Sequence, residues 1–537
     1  MRVARGPSLM VRRGSLVVLG VALLAGCSGL LPSASPTPEQ PREVLVTVVD
    51  RADQAPIVAA RLSATGVDAL TDAAGAAVIT AFRGSSITAV GAGFDAGSGT
   101  VPDTGDLTIA LRSNVVTGTV TSDAGVPIAG VRVFVDGSSS MVSTDAAGAY
   151  SLGGVPPQGT LIYKVPGYRL GVIPIDEQMT KNVALPPFVV RGLYAPAGIF
   201  EGRGRLDDLL GLIDRTEVNA MVIDVKETDG TLYWATDLAA AKAVGSVMQN
   251  PLLQLEELLP QLKARGIYTI ARMVVMKDNT LGSVRPDLAV RNSATGQPWQ
   301  DYRGGIWLDP FNPGVAEYIA ALAGDLADKG FDEVQLDYVR FYSDGDYSVS
   351  ETNLPNTQSF RLPAMRRLFR IVSAALETKR AFFSADVFPI SFIATDDQGI
   401  GQRPEVIMPY VDYFSPMVYP THYDDGTFGF AVPNDHPYEV IDATLKIMNR
   451  ERAGLRMVVR PWIQDFGFGP FPAYTAVQVQ AEMQALRDNG ALGWMIWNAS
   501  ADFTTDALGG PVQGEDAQPV TTALSAESGS PAATSNP

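Results

Sequence analysis

From Val189 onward the chain alternates short apolar runs with amphipathic stretches, and no other feature limits its folds so tightly. The apolar runs are RGLYAP (191–196), AMVIDVKE (220–227), YTIARMVVM (268–276), EVQLDYVRF (333–341), FFSADVF (382–388), DYFSPMVYP (412–420), RMVVRPWIQDF (456–466) and LGWMIWNAS (492–500). Helical patterns lie between them, among them RLDDLLGLID, LLQLEELLPQLKARG, NPGVAEYIAALAGDLADKG and AVQVQAEMQALRDNG. In the third, Asn312 suits an N-cap and Pro313 the first helical position. Near-continuous apolar strands alternating with helices call for a parallel sheet covered on both faces. Eight such units in roughly 320 residues predict an α/β domain, a (β/α)8 TIM barrel over 188–508. A doubly wound open sheet fits less well, because no Gly-rich phosphate turn follows the first strand.

The preceding text has another grammar. LTDAAGAAVIT (70–80) and STDAAGAYSL (143–152) share the hexapeptide TDAAGA, and each follows a Pro-Ile pair, Pro56-Ile57 or Pro127-Ile128. Short alternating runs punctuated by Gly, Asp and Pro indicate antiparallel strands. The repeat predicts two small all-β sandwich domains, 42–113 and 114–187, ahead of the barrel. The second copy, from VTGTVTSDAGVPIAGVRVFVDG to LIYKVPGYR, resembles the carboxypeptidase-regulatory-like sandwich family. That resemblance implies a spacer or binding accessory.

At the N-terminus Arg2, Arg5, Arg12 and Arg13 precede the apolar run LVVLGVALLAG, which is too short for a good membrane span. The run ends at LAGC, Leu24 to Cys27, in a pattern that resembles a bacterial lipoprotein signal. The expectation is a signal peptide over 1–27, lipidation of Cys27, and a protein exported and anchored to the outer face of the cell membrane. Cys27 is the only cysteine, so no intrachain disulfide can form. A Ser/Pro-rich tether (28–41) follows, and the low-complexity tail (509–537) is expected to lack a fold. A formal net charge of −17 argues against a nucleic-acid partner.

TIM barrels place their chemistry at the C-terminal ends of the strands. Those ends offer Asp224, Lys226 and Glu227 on the second, and Arg272 on the third with Lys277 and Asp278 beyond. The fourth offers Asp337 and Arg340, the fifth Asp386, the sixth Tyr419 and His422. The seventh offers Trp462, Gln464 and Asp465, and the eighth Trp497 and Asn498. A carboxylate within EVQLDYVRF is costly to bury unless it serves a site. Two carboxylates facing each other across a sugar can cleave a glycosidic bond, one as acid and the other as nucleophile or base. Aromatic rings such as Trp307, Trp462 and Trp497 can carry the apolar faces of sugars.

The runs FDEVQLDYVRF, SADVF, VDYFSPMVYPTHY and GALGWMIWNAS resemble the glycoside hydrolase TIM-barrel family of secreted bacterial proteins, distant kin of α-amylase-like enzymes. The resemblance spans about 191–500. It implies Asp337 as nucleophile or base, Asp386 as acid, and Asp465 as a third carboxylate. Gln335 stands where amylase-like enzymes carry arginine, and the acid would be Asp rather than Glu. The implied substrate is a polysaccharide or glycan, with Asp224, Lys226, Arg272, Arg340, Tyr419, His422, Trp462, Asp465 and Trp497 around it. His422 and His436 are the only histidines, too few for a multi-histidine zinc site. The expectation is therefore a glycoside hydrolase without cofactor or metal, bound to the membrane by its N-terminal lipid. A glycan-binding or scaffolding envelope protein that cuts nothing is the alternative.

Overall fold

The computed structural model describes residues 40–451, 455 and 457–511. The expected signal peptide, Cys27 and nearly all of the tether and tail lie outside the described residues. The described chain divides into two compact units.

The first unit is all β. One sheet sets Arg42–Asp50 between Ala76–Ala81 and Leu107–Leu111, and the other runs Val67–Leu70, Arg61–Ala64, Ser86–Val90, Gly97–Thr100. Alternate residues point inward, so Val44, Val46, Val48, Ile87, Ile109 and Leu111 are buried.

The second unit opens with another pair of small sheets. One orders Met141–Ser143, Arg132–Val135, Thr160–Lys164, Gly171–Pro174, and the other Ala149–Leu152, Val116–Ser122, Val183–Leu185. The TDAAGA repeat builds the same device in both units. Thr71 Oγ1 donates to Ile57 O (2.6 Å) and accepts from Ala60 N (2.8 Å). Thr144 Oγ1 donates to Ile128 O (2.7 Å) and accepts from Val131 N (2.9 Å). Asp72 and Asp145 each accept two backbone N–H groups across the following turn, and the turn closes on glycine at φ 70° and 72°. At the second glycine, Gly148, a Cβ would stand 2.3 Å from Val120 O. Only glycine fits there.

The rest of the second unit is a curled parallel sheet of nine strands. They are β1 (Val190–Ala195), β2 (Ala220–Lys226), β3 (Tyr268–Val274), β4 (Glu333–Asp337), β5 (Phe382–Val387), β6 (Tyr413–Pro416), β7 (Val458–Val459), β8 (Trp462–Gln464) and β9 (Gly493–Trp497). Their spatial order is β7-β6-β5-β4-β3-β2-β1-β9-β8. Each strand is almost wholly buried, as a sheet covered on both faces must be. The run expected as one seventh strand is interrupted at Arg460-Pro461, where the proline has no N–H for the ladder. Around that break Arg460 N bonds to Phe414 O (2.9 Å), Val418 N to Trp462 O (3.1 Å) and Met495 N to Pro461 O (3.0 Å).

Amphipathic helices cover the sheet: α1 (Arg203–Asp214), α2 (Leu255–Ala264), α3 (Pro313–Lys329), α4 (Gln358–Leu376), α5 (Pro437–Glu451) and α6 (Ala476–Asp488). Helix α3 starts as its sequence predicts, with the Asn312 side chain accepting from Gly314 N (3.0 Å) and Pro313 in the first turn. It stops at Gly330, φ 106°.

The small sandwich is bolted to the N-terminal ends of these strands. Lys164, fully buried, donates to Leu376 O and Lys379 O (both 3.0 Å) and to Ala381 O, satisfying carbonyls left over at the end of α4. Arg132 pairs with Asp412 (2.5 Å), and Gly167 N donates to the Tyr413 hydroxyl (3.1 Å). Among the described residues no helix is long and apolar enough to cross a membrane.

Candidate active site

Side chains on one face of a strand recur every second residue. On β4 that row is Glu333, Gln335, Asp337, and each member is buried. Glu333 pairs with Arg460, beyond β7 and three strands away, which only a side chain inside the curl can reach. Above this pair Gln335 Nε2 approaches Ser415 Oγ (3.5 Å) and Met495 Sδ (3.6 Å). The row ends at Asp337, at the C-terminal edge, and the charges expected there gather around it.

Arg272 on β3 is the hub. Its Nη2 and Nε donate to Asp337 Oδ2 (2.6 and 3.2 Å), and its Nη1 to Asp224 (2.5 Å) and to Glu227 Oε1 (3.1 Å). Three carboxylates thus surround one guanidinium. Burial first, then the neighbouring Glu227, pushes the Asp224 carboxyl up to about 8, against the pull of Arg272. Tyr194 at the end of β1 donates its hydroxyl to Asp224. The Tyr194 ring stacks on Trp497 at 3.9 Å between centroids, and the Arg272 guanidinium lies 5.0 Å from the Trp497 ring.

Asp386 on β5 is built differently. It forms no ion pair among the described residues, and its carboxyl accepts from Trp462 Nε1 (2.7 Å). Burial, then the negative charge of Asp337, raises it well above the usual carboxylate range. The Tyr419 hydroxyl feels the same two carboxylates after burial, and is likewise pushed far up. The strand ends therefore hold one carboxylate fixed in a guanidinium fork beside another whose hold on its proton burial strengthens.

After Asp337 the chain turns sharply. Asp337 Oδ1 accepts from the next N–H, that of Tyr338 (2.6 Å), and Tyr338 takes a left-handed φ of 51°. A bulky residue in that region stores strain, which concentrates at functional sites. The turn returns Arg340 to the strand ends, where its guanidinium lies 4.7 Å from the Trp307 ring.

Several expected site residues are occupied elsewhere. The pairing of β2 with β3 shifts register between Asp224 and Lys226. Lys226 is buried with its ammonium on Asp278 Oδ2 (2.9 Å) and Val274 O (2.7 Å), so it braces the loop start and is not offered to a ligand. Asp465 gives both oxygens to Thr504, through its N–H and its hydroxyl at 2.7 Å each, and so fixes the C-terminal segment. Trp462 and Trp307 are 1% exposed, so neither is a platform for a sugar. Trp462 positions Asp386, and Trp307 donates to Asp301 (3.1 Å). His422 sits on the rim, stacked on Phe468 at 5.0 Å. Tyr194 lies in the first apolar run two residues before Pro196, with no polar neighbour in the run to mark it apart from Arg191. The sequence marks Glu227 without giving it a role.

A cavity of about 550 Å³ opens at the other end of the sheet, lined by Tyr168, Phe188, Tyr268, Lys263 and Asp332 among others. Its ions pair with each other, as in Lys263–Asp332 and Lys379–Asp328, and the carboxylate cluster has no part in its lining. Among the described residues no group of three or more His, Cys, Asp and Glu is placed to hold a metal ion.

Comparison with known proteins matches residues 192–503 to the family described as "Putative glycosyl hydrolase domain", and residues 115–185 to the carboxypeptidase regulatory-like domain. Over 70 residues the chain is 37% identical to the TonB-dependent receptor P39 of Formosa agariphila, covering 13% of this chain and 7% of that receptor. Among solved structures it is similar to a hypothetical protein from Ruminiclostridium thermocellum (30% identity, 36% of this chain and 97% of that one, TM-score 0.32). It is also similar to the PgaB (BpsB) glycoside hydrolase domain from Bordetella bronchiseptica (15% identity, 60% of this chain and 99% of that one, TM-score 0.45). Because residues 192–503 make up more than half of its length, the chain belongs to that family of glycosyl hydrolase domains, with a carboxypeptidase regulatory-like domain before it.

Proposed function

We propose that the curled sheet is a closed (β/α)8 barrel that hydrolyses glycosidic bonds of a poly- or oligosaccharide with Asp337 and Asp386. For closure, the support is that β7 and β8 are two halves of one strand, kinked at Arg460-Pro461, one bonded to β6 and the other to β9. For chemistry, the observation that carries the reading is the contrast between the carboxyls. Asp337 sits in the Arg272 fork, while burial and a like charge raise Asp386 well above the usual carboxylate range. Environments that push two carboxyls apart assign the acid and its partner. Asp386 is the proton donor to the leaving oxygen, and Asp337 is the nucleophile or base. Arg272 and Tyr194 are positioning residues for that carboxylate row.

The test is release of reducing ends from a broad glycan panel. Wild type should cut at least one glycan, while Asp337→Asn and Asp386→Asn should bind it and leave it whole. A panel bound yet never cut would give the protein a glycan-binding or scaffolding role. We further propose that the chain is exported and held to the outer face of the membrane by a lipid on Cys27. Replacing Cys27 with Ser should then release the protein from the membrane fraction.

A further inference from the structure

Arg340 carries a buried positive charge with no ion partner among the described residues. It is 7% exposed. Other deeply buried cations of this half have acidic partners: Arg272 has Asp224 and Asp337, Arg361 has Asp397, Arg460 has Glu333, and Lys226 has Asp278. Arg340 has rings around it instead, with its guanidinium 4.7 Å from the Trp307 centroid, 5.3 Å from Phe388 and 5.4 Å from Tyr338. Nη1 donates to Phe341 O (3.2 Å) and Ser343 Oγ (2.6 Å), and Nε and Nη2 donate to no described residue. Neither is among the buried atoms left without a partner, so both keep open surface. Asp344 and Asp337 act on the guanidinium through space without ion-pair contact.

An unpaired buried charge is costly, and a planar fork held between rings is preorganised for a two-oxygen anion. The residue follows Asp337 by three positions, and the Tyr338 phenol between them feels Asp337, Arg340 and Arg272 together. We propose that the free edge of Arg340 is an anion subsite beside Asp337, which takes the carboxylate or sulfate substituent of an acidic sugar. The preferred substrate is then an acidic glycan. This rests on the carboxyl cluster around Asp337 being the glycan-cleaving site.

The experiment uses the whole protein and matched oligosaccharides: a uronic acid oligomer with its carboxyl-reduced form, and a sulfated oligomer with its desulfated form. Wild type should cut one acidic member with kcat/KM at least about tenfold above its neutral twin, the scale of a charge-assisted bond. The pair that shows the preference identifies the anion. Arg340→Gln should remove that preference by slowing the acidic member, and Arg340→Lys should restore part of it. Equal turnover of acidic and neutral twins by wild type overturns the subsite, whether or not the variants fold. If nothing is cut, the hydrolase reading fails, and equilibrium binding of the same pairs still decides the subsite. Tighter binding of an acidic twin, lost in Arg340→Gln, supports it; equal binding overturns it.

Discussion

Replacing Asp386 with Asn should stabilise the protein by an amount that grows with pH. Asn keeps an oxygen for the Trp462 N–H, so the bond at 2.7 Å survives, and only the ionisable oxygen is lost. Burial and Asp337 raise the folded-state pKa of Asp386 above its unfolded value. Between the unfolded value, about 4, and the raised one, the folded state binds the extra proton. Stability contributed by this group is therefore intact below pH of about 4 and falls as pH rises through that window. The slope for one group is about 1.4 kcal/mol per pH unit. Urea unfolding of wild type and Asp386→Asn at pH 5, 6 and 7 measures it directly. The variant should gain on wild type as pH rises from 5 towards the raised value, at up to that slope, while losing hydrolysis altogether. A stability difference that stays constant with pH, or shrinks, would refute the upward shift of Asp386.

Three further outcomes follow from the same contacts. Arg272→Met leaves Asp224 and Asp337 buried without their cation and should cost about 3–5 kcal/mol in urea unfolding. A loss below about 1 kcal/mol would mean that the cluster does not depend on that charge. Lys164→Met strips the donor from three backbone carbonyls and should cost about 1–3 kcal/mol, with thermal unfolding showing the drop. An unchanged midpoint would mean that these bonds do not lock the sandwich to the parallel sheet. Asp465→Asn should lower stability by about 1 kcal/mol through its Thr504 bonds, with kcat/KM on any glycan the wild type cuts held within about twofold. A hundredfold loss of rate would return Asp465 to the catalytic set.

The strand ends were legible because apolar runs with a terminal polar residue announce themselves in the sequence. Asp337, Asp386, Asp224 and Arg272 were all found that way, and the structure brings them together. Direction within an end was not legible. Lys226 lies two residues from Asp224 and should share its face, but the register shift between them breaks the period of two. The partner of Asp465, Thr504, comes from a segment 39 residues on, and no local pattern records that pairing. Trp462 and Trp307 were read as platforms because burial cannot be told from exposure by residue type alone. No local pattern marks the partners of Lys164 and Arg132. Their partners are carbonyls and a carboxylate more than 200 positions away.

The regulatory-like module meets the sheet where its strands begin, and the carboxyl row sits where they finish. Arg132, Lys164 and Gly167 thus anchor the module at the strand starts, and none of these contacts draws on the carboxyl row.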